Sequence, residues 1–233
     1  MPALHNLRLL AILPATLLFH GTASAQDRGV VYAGGGIGDG RNVYAGGVIA
    51  LPGGRLGRGL AIRGGGAAGS YVYDSGTAEI DGNFASAEVA LVYQTSGEWG
   101  WANFGAGPRV TNTSLTPNDP NNRLAGTRFD VGLQTDGALG YRWRLGWFGS
   151  LGVNDEIYFT NLSFGPLVDE PSQTRLGVEA GIAGDETFTR RNYGVFASTR
   201  IASKMELRVS GGLNDQRGLR DQAYATVALS KVF

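Results

Sequence analysis

From about residue 29 onward, apolar residues recur at every second position in segments of ten or so, and turn-forming residues separate the segments. In residues 84–94, Ala85, Ala87, Val89, Leu91 and Tyr93 alternate with Ser86, Glu88 and Gln94. In the segment from residue 127, Phe129, Val131 and Leu133 oppose Arg128, Asp130 and Gln134. Leu176, Val178, Ala180 and Ile182 oppose Arg175 and Glu179. Tyr193, Val195, Ala197 and Ile201 oppose Asn192, Ser198 and Arg200, and Leu207, Val209 and Leu213 oppose Glu206, Arg208 and Ser210. A two-residue period puts alternate side chains on opposite faces of a strand, so the chain reads as all-β.

Alternation of this kind fits a soluble sandwich, with polar faces outward, and a membrane barrel, with polar faces inward. Four features favour the barrel. Residues 1–25 hold one cation, Arg8, then an apolar run of about 11 residues and the small-x-small triplet Ala23-Ser24-Ala25. That predicts a secretory signal peptide cleaved near Ala25, because the run is shorter than the ~20 residues a spanning helix needs. No later apolar run is long enough to span. Tyr and Trp gather near strand ends. Finally, Ala225, Val227, Leu229 and the terminal Phe233 share one face, resembling the last strand of bacterial outer-membrane proteins, with Lys231 as a departure at the rim.

Twelve strands are expected, near 29–37, 42–51, 59–73, 80–95, 99–110, 126–138, 143–153, 156–166, 174–184, 187–201, 204–214 and 221–233. An even count returns both termini to one side, as single-chain bacterial barrels require; ten or fourteen strands would also satisfy this. The expected architecture is a closed antiparallel transmembrane β-barrel, one domain over 26–233. Connections should be short on the periplasmic side, with a 15-residue polar loop at 111–125 outside. Segments 52–58 and 167–173 are long for the periplasmic side. Glycine supplies 38 of 233 residues, about twice the usual ~7%. Dispersed among Val, Ala, Tyr and Phe, it suits the bends and close approaches of a tight barrel.

The inward face is expected to carry Arg63, Glu88, Arg128, Asp130, Glu179, Arg200, Glu206 and Arg208. Four cations against four anions predict ion pairs filling the interior; a charged passage or glycan contact surface is the alternative. Trp99, Trp101, Trp143 and Trp147 fit an interfacial girdle, or else a stacking surface for sugars.

The function classes narrow by what is missing. There is no cysteine, and both histidines, His5 and His20, fall within the signal segment. Serine–histidine hydrolysis, thiol nucleophiles and His/Cys zinc sites are therefore closed to the mature chain. A carboxylate glycosidase needs two carboxyl groups across an open cavity, and Glu88, Asp130, Glu179 and Glu206 are the candidates, though arginine pairing explains them as well. The expectation is no enzyme, no cofactor and no metal. Without Arg8 of the signal segment the 20 cations fall to 19 against 20 anions, and such balance argues against nucleic acid as a partner. The glycine run at 34–40 lacks the Lys-Ser/Thr of a phosphate loop, and the Asn/Asp/Pro stretch at 116–122 reads as turn chemistry rather than a calcium site.

Tyr44-Ala-Gly-Gly-Val-Ile-Ala-Leu51, followed by Arg63-Gly-Gly-Gly66, is similar to the N-terminal part of the cellulose biosynthesis protein BcsS family. Leu115-Thr-Pro-Asn-Asp-Pro-Asn-Asn122 with Gly126-Thr127, and Leu176-Gly-Val-Glu-Ala180 through Gly184-Asp-Glu186 to Gly194-Val-Phe196, resemble its later blocks. The resemblance covers nearly all of the mature chain. It implies an outer-membrane barrel in contact with lipid, tied to cellulose or its export machinery, as a porin-like or scaffolding accessory without catalytic residues. A general structural or adhesion barrel, meeting an outside partner through the 111–125 loop, is the reading from another class.

Overall fold

A computed structural model describes residues 27–38, 40–75, 78–120, 122–184, 189–216 and 222–233. The expected signal segment lies outside the described residues. Twelve antiparallel strands follow one another around a closed barrel: β1 (Gly29–Ile37), β2 (Gly40–Ala50), β3 (Gly59–Asp74), β4 (Glu79–Gly97), β5 (Gly100–Thr116), β6 (Gly126–Leu139), β7 (Trp143–Gly152), β8 (Tyr158–Asp169), β9 (Thr174–Gly184), β10 (Thr189–Ala202), β11 (Met205–Gln216) and β12 (Gln222–Val232). The seam is made by β1 and β12, paired from Val30↔Val232 to Ile37↔Ala225. Closure leaves no free edge, which is the condition for a β structure to stand in lipid.

Each strand separates its two faces as the alternation requires. Every strand turns large apolar side chains outward, Phe129, Val195, Val43, Val178 and Tyr193 among the most exposed. An apolar surface running right round the wall is far beyond the few-hundred-Å² patches of soluble proteins. Across three adjacent strands, Phe164, Val178 and Val195 lie in one register row.

Two loop expectations are corrected. The polar stretch at 111–125 is not all loop: Thr111 to Thr116 pair with β4 as part of β5, leaving a connection at 117–125. Likewise β8 continues to Asp169, and the turn shrinks to 170–173. Polar composition hid the first extension, and Pro166, which has no N–H for a ladder, hid the second. At the 117–125 end of β2–β6 the outward face changes from apolar to Arg41, Asp81, Asn83, Asn112, Ser114 and Thr127, with Arg41 Nε donating to Ser70 Oγ (3.2 Å) and Asn112 Nδ2 to Thr127 Oγ1 (2.7 Å). Nineteen residues of β4 measure about 63 Å at ~3.3 Å each, which at a ~45° tilt rises well above a ~25 Å apolar band. One side of the barrel therefore stands as a polar-faced wall beyond the band.

The remaining long connection at the end holding the termini, 51–58, folds up into the barrel. Its Leu56 packs with Val30, Val48, Ala61, Ala90 and Val92, its main chain is tied to Asp27 through Leu56 N–H to the Asp27 carbonyl (3.0 Å), and its length is thereby explained. Opposite, beneath the tall wall, Tyr71, Tyr73, Ile80 and Phe84 form a second apolar plug closed by Leu124 from the 117–125 loop.

Several inward glycines are seats for rings on the neighbouring strand. Tyr44 lies across Gly34, Phe84 across Gly69 and Tyr71 across Gly82, each pair in direct register. A methyl group on Gly82 would overlap the Tyr71 ring, and Tyr71 is held in place by stacking on Tyr73 (centroids 6.1 Å apart) within the same buried cluster. Gly82→Ala is expected to lose about 1–3 kcal/mol by overpacking, read as a lowered urea midpoint of the folded barrel.

Candidate functional site

The lumen is crossed by a continuous hydrogen-bonded network from β3 to β7. Arg63, only 5% exposed, reaches over two strands and donates to Asp136 and Gln134 on β6. Asn103 Nδ2 donates to the second Asp136 oxygen (2.9 Å), Gln94 donates to Asn103 (3.2 Å), and Gly57 N–H of the inturned loop donates to Gln94 (3.3 Å). Above Arg63, Gln134 also donates to Glu88. Arg109 holds Glu88 with two nitrogens (3.0 and 2.8 Å) and Ser150 with one of them (3.0 Å). Charge-assisted and forked bonds of this kind fix geometry as well as adding energy.

A second knot joins β9, β10, β11 and β12. Arg208, 2% exposed, lies 3.9 Å from the Phe196 ring centroid and donates to Glu179 (2.7 Å). Tyr224 Oη donates to the other Glu179 oxygen (2.7 Å). A third group sits at the end away from the termini: Arg128 pairs with Asp155 (2.7 Å), and Asp130 accepts the Asn154 N–H (2.8 Å). Burial raises the Asp155 carboxyl above its usual range, with Arg128 opposing that rise.

Seven of the eight expected inward charges are thus buried or half-buried in the lumen; the eighth, Arg200, is exposed at the termini rim opposite Glu206. The expected set of inward charges left out Arg109, Asp136, Arg144, Arg190 and Arg175, although Arg175 had already been read on the polar face of its strand. Arg175 and Asp136 share the phase of residues already assigned inward, so the signal was present. Arg109 was harder, because Pro108 has no N–H to donate and β4–β5 pairing lapses at 107–108. With these additions the inner strand faces carry eight arginines against five carboxylates among the described residues, not four against four. The β3–β6 side is balanced, and the excess lies on β7–β11.

Three of the tryptophans lie outside the lumen, toward the end that holds the termini. Trp143 is exposed and stacks on Phe164 (centroids 5.4 Å apart), Trp147 lies over Gly137 and donates to Thr135 Oγ1 (3.1 Å), and Trp99 is in the turn at 98–99. The register puts Trp101 on the inner face with Asn103. Phe233, half exposed, bonds through its main chain to Arg28 and Gly29 and so ties off the seam.

Asp119, Asn122 and Leu124 of the connection after β5 are buried. Tyr73 Oη donates to Asp119 Oδ2 (2.8 Å) and accepts from Asn122 Nδ2 (3.0 Å), while Asn122 Oδ1 receives the Leu124 N–H (2.9 Å). Among the described residues no acidic cluster forms a metal site. Tyr73→Phe removes the hydroxyl that latches the loop, at about 1–3 kcal/mol. Trypsin cleavage after the exposed Arg123 should then quicken, roughly tenfold per ~1.4 kcal/mol.

The model of the cellulose biosynthesis protein BcsS family matches residues 30–233. The chain belongs to that family. Among solved structures, an outer membrane channel from Pseudomonas putida F1 is 18% identical with a TM-score of 0.55, covering 92% of this chain and 98% of that one. The translocator domain of the autotransporter NalP from Neisseria meningitidis is 11% identical with a TM-score of 0.50, covering 91% and 89%. At such identities the likeness concerns the fold alone. Curated proteins yield no match. For this BcsS-family barrel the resemblance read from residues 44–51, 115–127 and 176–196 is borne out.

Proposed function

We propose that this barrel is a non-catalytic outer-membrane component of bacterial cellulose synthesis or secretion, and that it serves as a scaffold rather than as the glucan conduit. The apolar exterior is suited to lipid, and both termini would lie on the periplasmic side, as in single-chain bacterial barrels. The observation that carries the reading is the Arg63–Asp136 bridge spanning β3 to β6, with plugs of side chains at each end of the same side. A glucan chain needs a clear bore, and a twelve-stranded barrel has little spare lumen once long side chains cross it.

The carboxylates favour structure over catalysis. Glu88, Asp136 and Glu179 are each bridged by arginine, and Asp130 holds main-chain N–H groups. A glycosidase would need two of them free across one cavity. The adhesion reading loses its loop, since Asp119, Asn122 and Leu124 are buried against Tyr73. Deleting the gene in a cellulose-producing host is expected to lower exported cellulose, and restoring the wild-type gene to recover it. Unchanged cellulose output in the deletion strain would remove the cellulose role and leave a barrel of other purpose.

A further inference from the structure

Exposed charge is divided unevenly between the two ends of the barrel. At the end away from the termini the described residues expose three cations, Arg41, Arg123 and Arg191, against four carboxylates, Glu79, Asp81, Glu156 and Asp215. At the end holding the termini the excess is reversed, and it gathers on one arc of the rim. From the β10–β11 turn, across the β1–β12 seam, to the 51–58 loop, Arg28, Arg55, Arg58, Arg200, Lys204 and Lys231 are exposed. No described carboxylate of that arc is exposed: Asp27 is buried and paired with Lys204, and Glu206 is buried opposite Arg200. The next exposed carboxylates, Asp169 and Glu170, lie at the β8–β9 turn and already accept from Ser172 and Tyr141. The remaining turns of this end expose one charge of each sign, Arg142 and Glu98.

These cations stand on main chain that is tied in place. Arg28 and Gly29 N–H both donate to the Phe233 carbonyl (2.8 and 3.1 Å), Ala50 N–H donates to the Arg28 carbonyl (2.8 Å), and Val232 N–H to the Lys204 carbonyl (2.9 Å). Arg55 and Arg58 exchange main-chain bonds (3.2 and 2.9 Å), while Leu56 between them packs in the apolar plug and Gly57 N–H donates to buried Gln94. The loop is thus anchored by its tip and leaves its two arginines at the mouth. Arg28 and Arg200 continue the inward phase of Val30 and Ser198, and only Lys231 holds an outward strand position. The arc accordingly faces along the barrel axis into water rather than sideways into headgroups. Charges fixed in this way lose little conformational freedom on binding, and a surface of one sign draws opposite charge across a Debye length. We infer that this arc is a docking surface for an acidic patch on a periplasmic protein. The inference rests on the scaffold reading, which calls for a partner on that side, and gives the partner its chemistry: side-chain carboxylates rather than lipid phosphates or an uncharged glucan.

The test places the full barrel in nanodiscs of phosphatidylcholine, which has no net charge, and titrates it with a fluorescent decaglutamate peptide. Decaserine is the uncharged control. Saturable binding of decaglutamate that weakens as salt rises is expected, with none for decaserine. In the triple variant Arg28→Gln, Arg55→Gln, Arg58→Gln the affinity should fall at least about tenfold. The double variant Arg41→Gln, Arg191→Gln, at the other end, should bind as wild type. Retention of the compact form in unboiled gels shows that each variant is folded. Wild-type affinity in the triple variant, or equal binding of decaserine, would overturn the surface. So would anionic phosphatidylglycerol that abolishes decaglutamate binding and stays on the wild type, but not on the triple variant, in native mass spectrometry; the arc would then be a lipid contact. Binding is read on isolated barrel, so its failure leaves the cellulose result of the deletion strain standing, and unchanged cellulose output leaves the binding result standing.

Discussion

Asp136→Ala is expected to destabilise the barrel by about 3–5 kcal/mol, because removing one partner of a buried pair strands the other. Arg63 would keep only Gln134 as a side-chain acceptor, and Asn103 would lose the oxygen it donates to. The loss would spread, since the same Gln134 also supports Glu88 and through it Arg109. Urea unfolding of the liposome-inserted protein reads the effect as a lowered midpoint at unchanged slope. The double variant Arg63→Met with Asp136→Leu should recover most of the loss, since apolar groups of similar volume can replace a buried pair at little or no penalty. A single variant within ~0.5 kcal/mol of wild type, the range of an ordinary surface substitution, would mean that the bridge does not brace the wall.

Val195→Arg is the second large effect. Val195 is near the middle of β10, 63% exposed, beside the outward Val178. In lipid an outward arginine near the midplane costs about 2–4 kcal/mol. On a water-facing sheet the same change would be nearly neutral. Folding yield into liposomes and the urea midpoint both report the difference. A neutral outcome would argue that the apolar exterior faces something other than hydrocarbon.

The strand plan was legible because lipid and lumen impose opposite chemistries on alternate residues, and the period survives in β4, β6, β9, β10 and β11. It blurred wherever both faces are polar. In the tall wall of β3–β5, Asn112 and Ser114 face outward above the apolar band, so the end of β5 read as loop. The lumen pairs were only half legible. Alternation tells which residues face inward, but the partner of Arg63 lies 73 positions away on β6, and only closure of the barrel sets them across from one another. Glycine abundance hinted at close approach, yet which ring fills which gap, such as Tyr71 over Gly82, depends on register. The loops at 51–58 and 117–125 carried no signal beyond their length; Leu56 and Leu124 are ordinary apolar residues whose burial follows from where the chain turns.

Single-channel recording of the purified protein in planar bilayers bears most directly on the filled lumen. The expected result is little or no steady conductance for wild type, with openings appearing in Arg63→Ala as the bridge from β3 to β6 is lost. A large, steady conductance from the wild-type protein would contradict the closed interior and return the conduit role to this barrel.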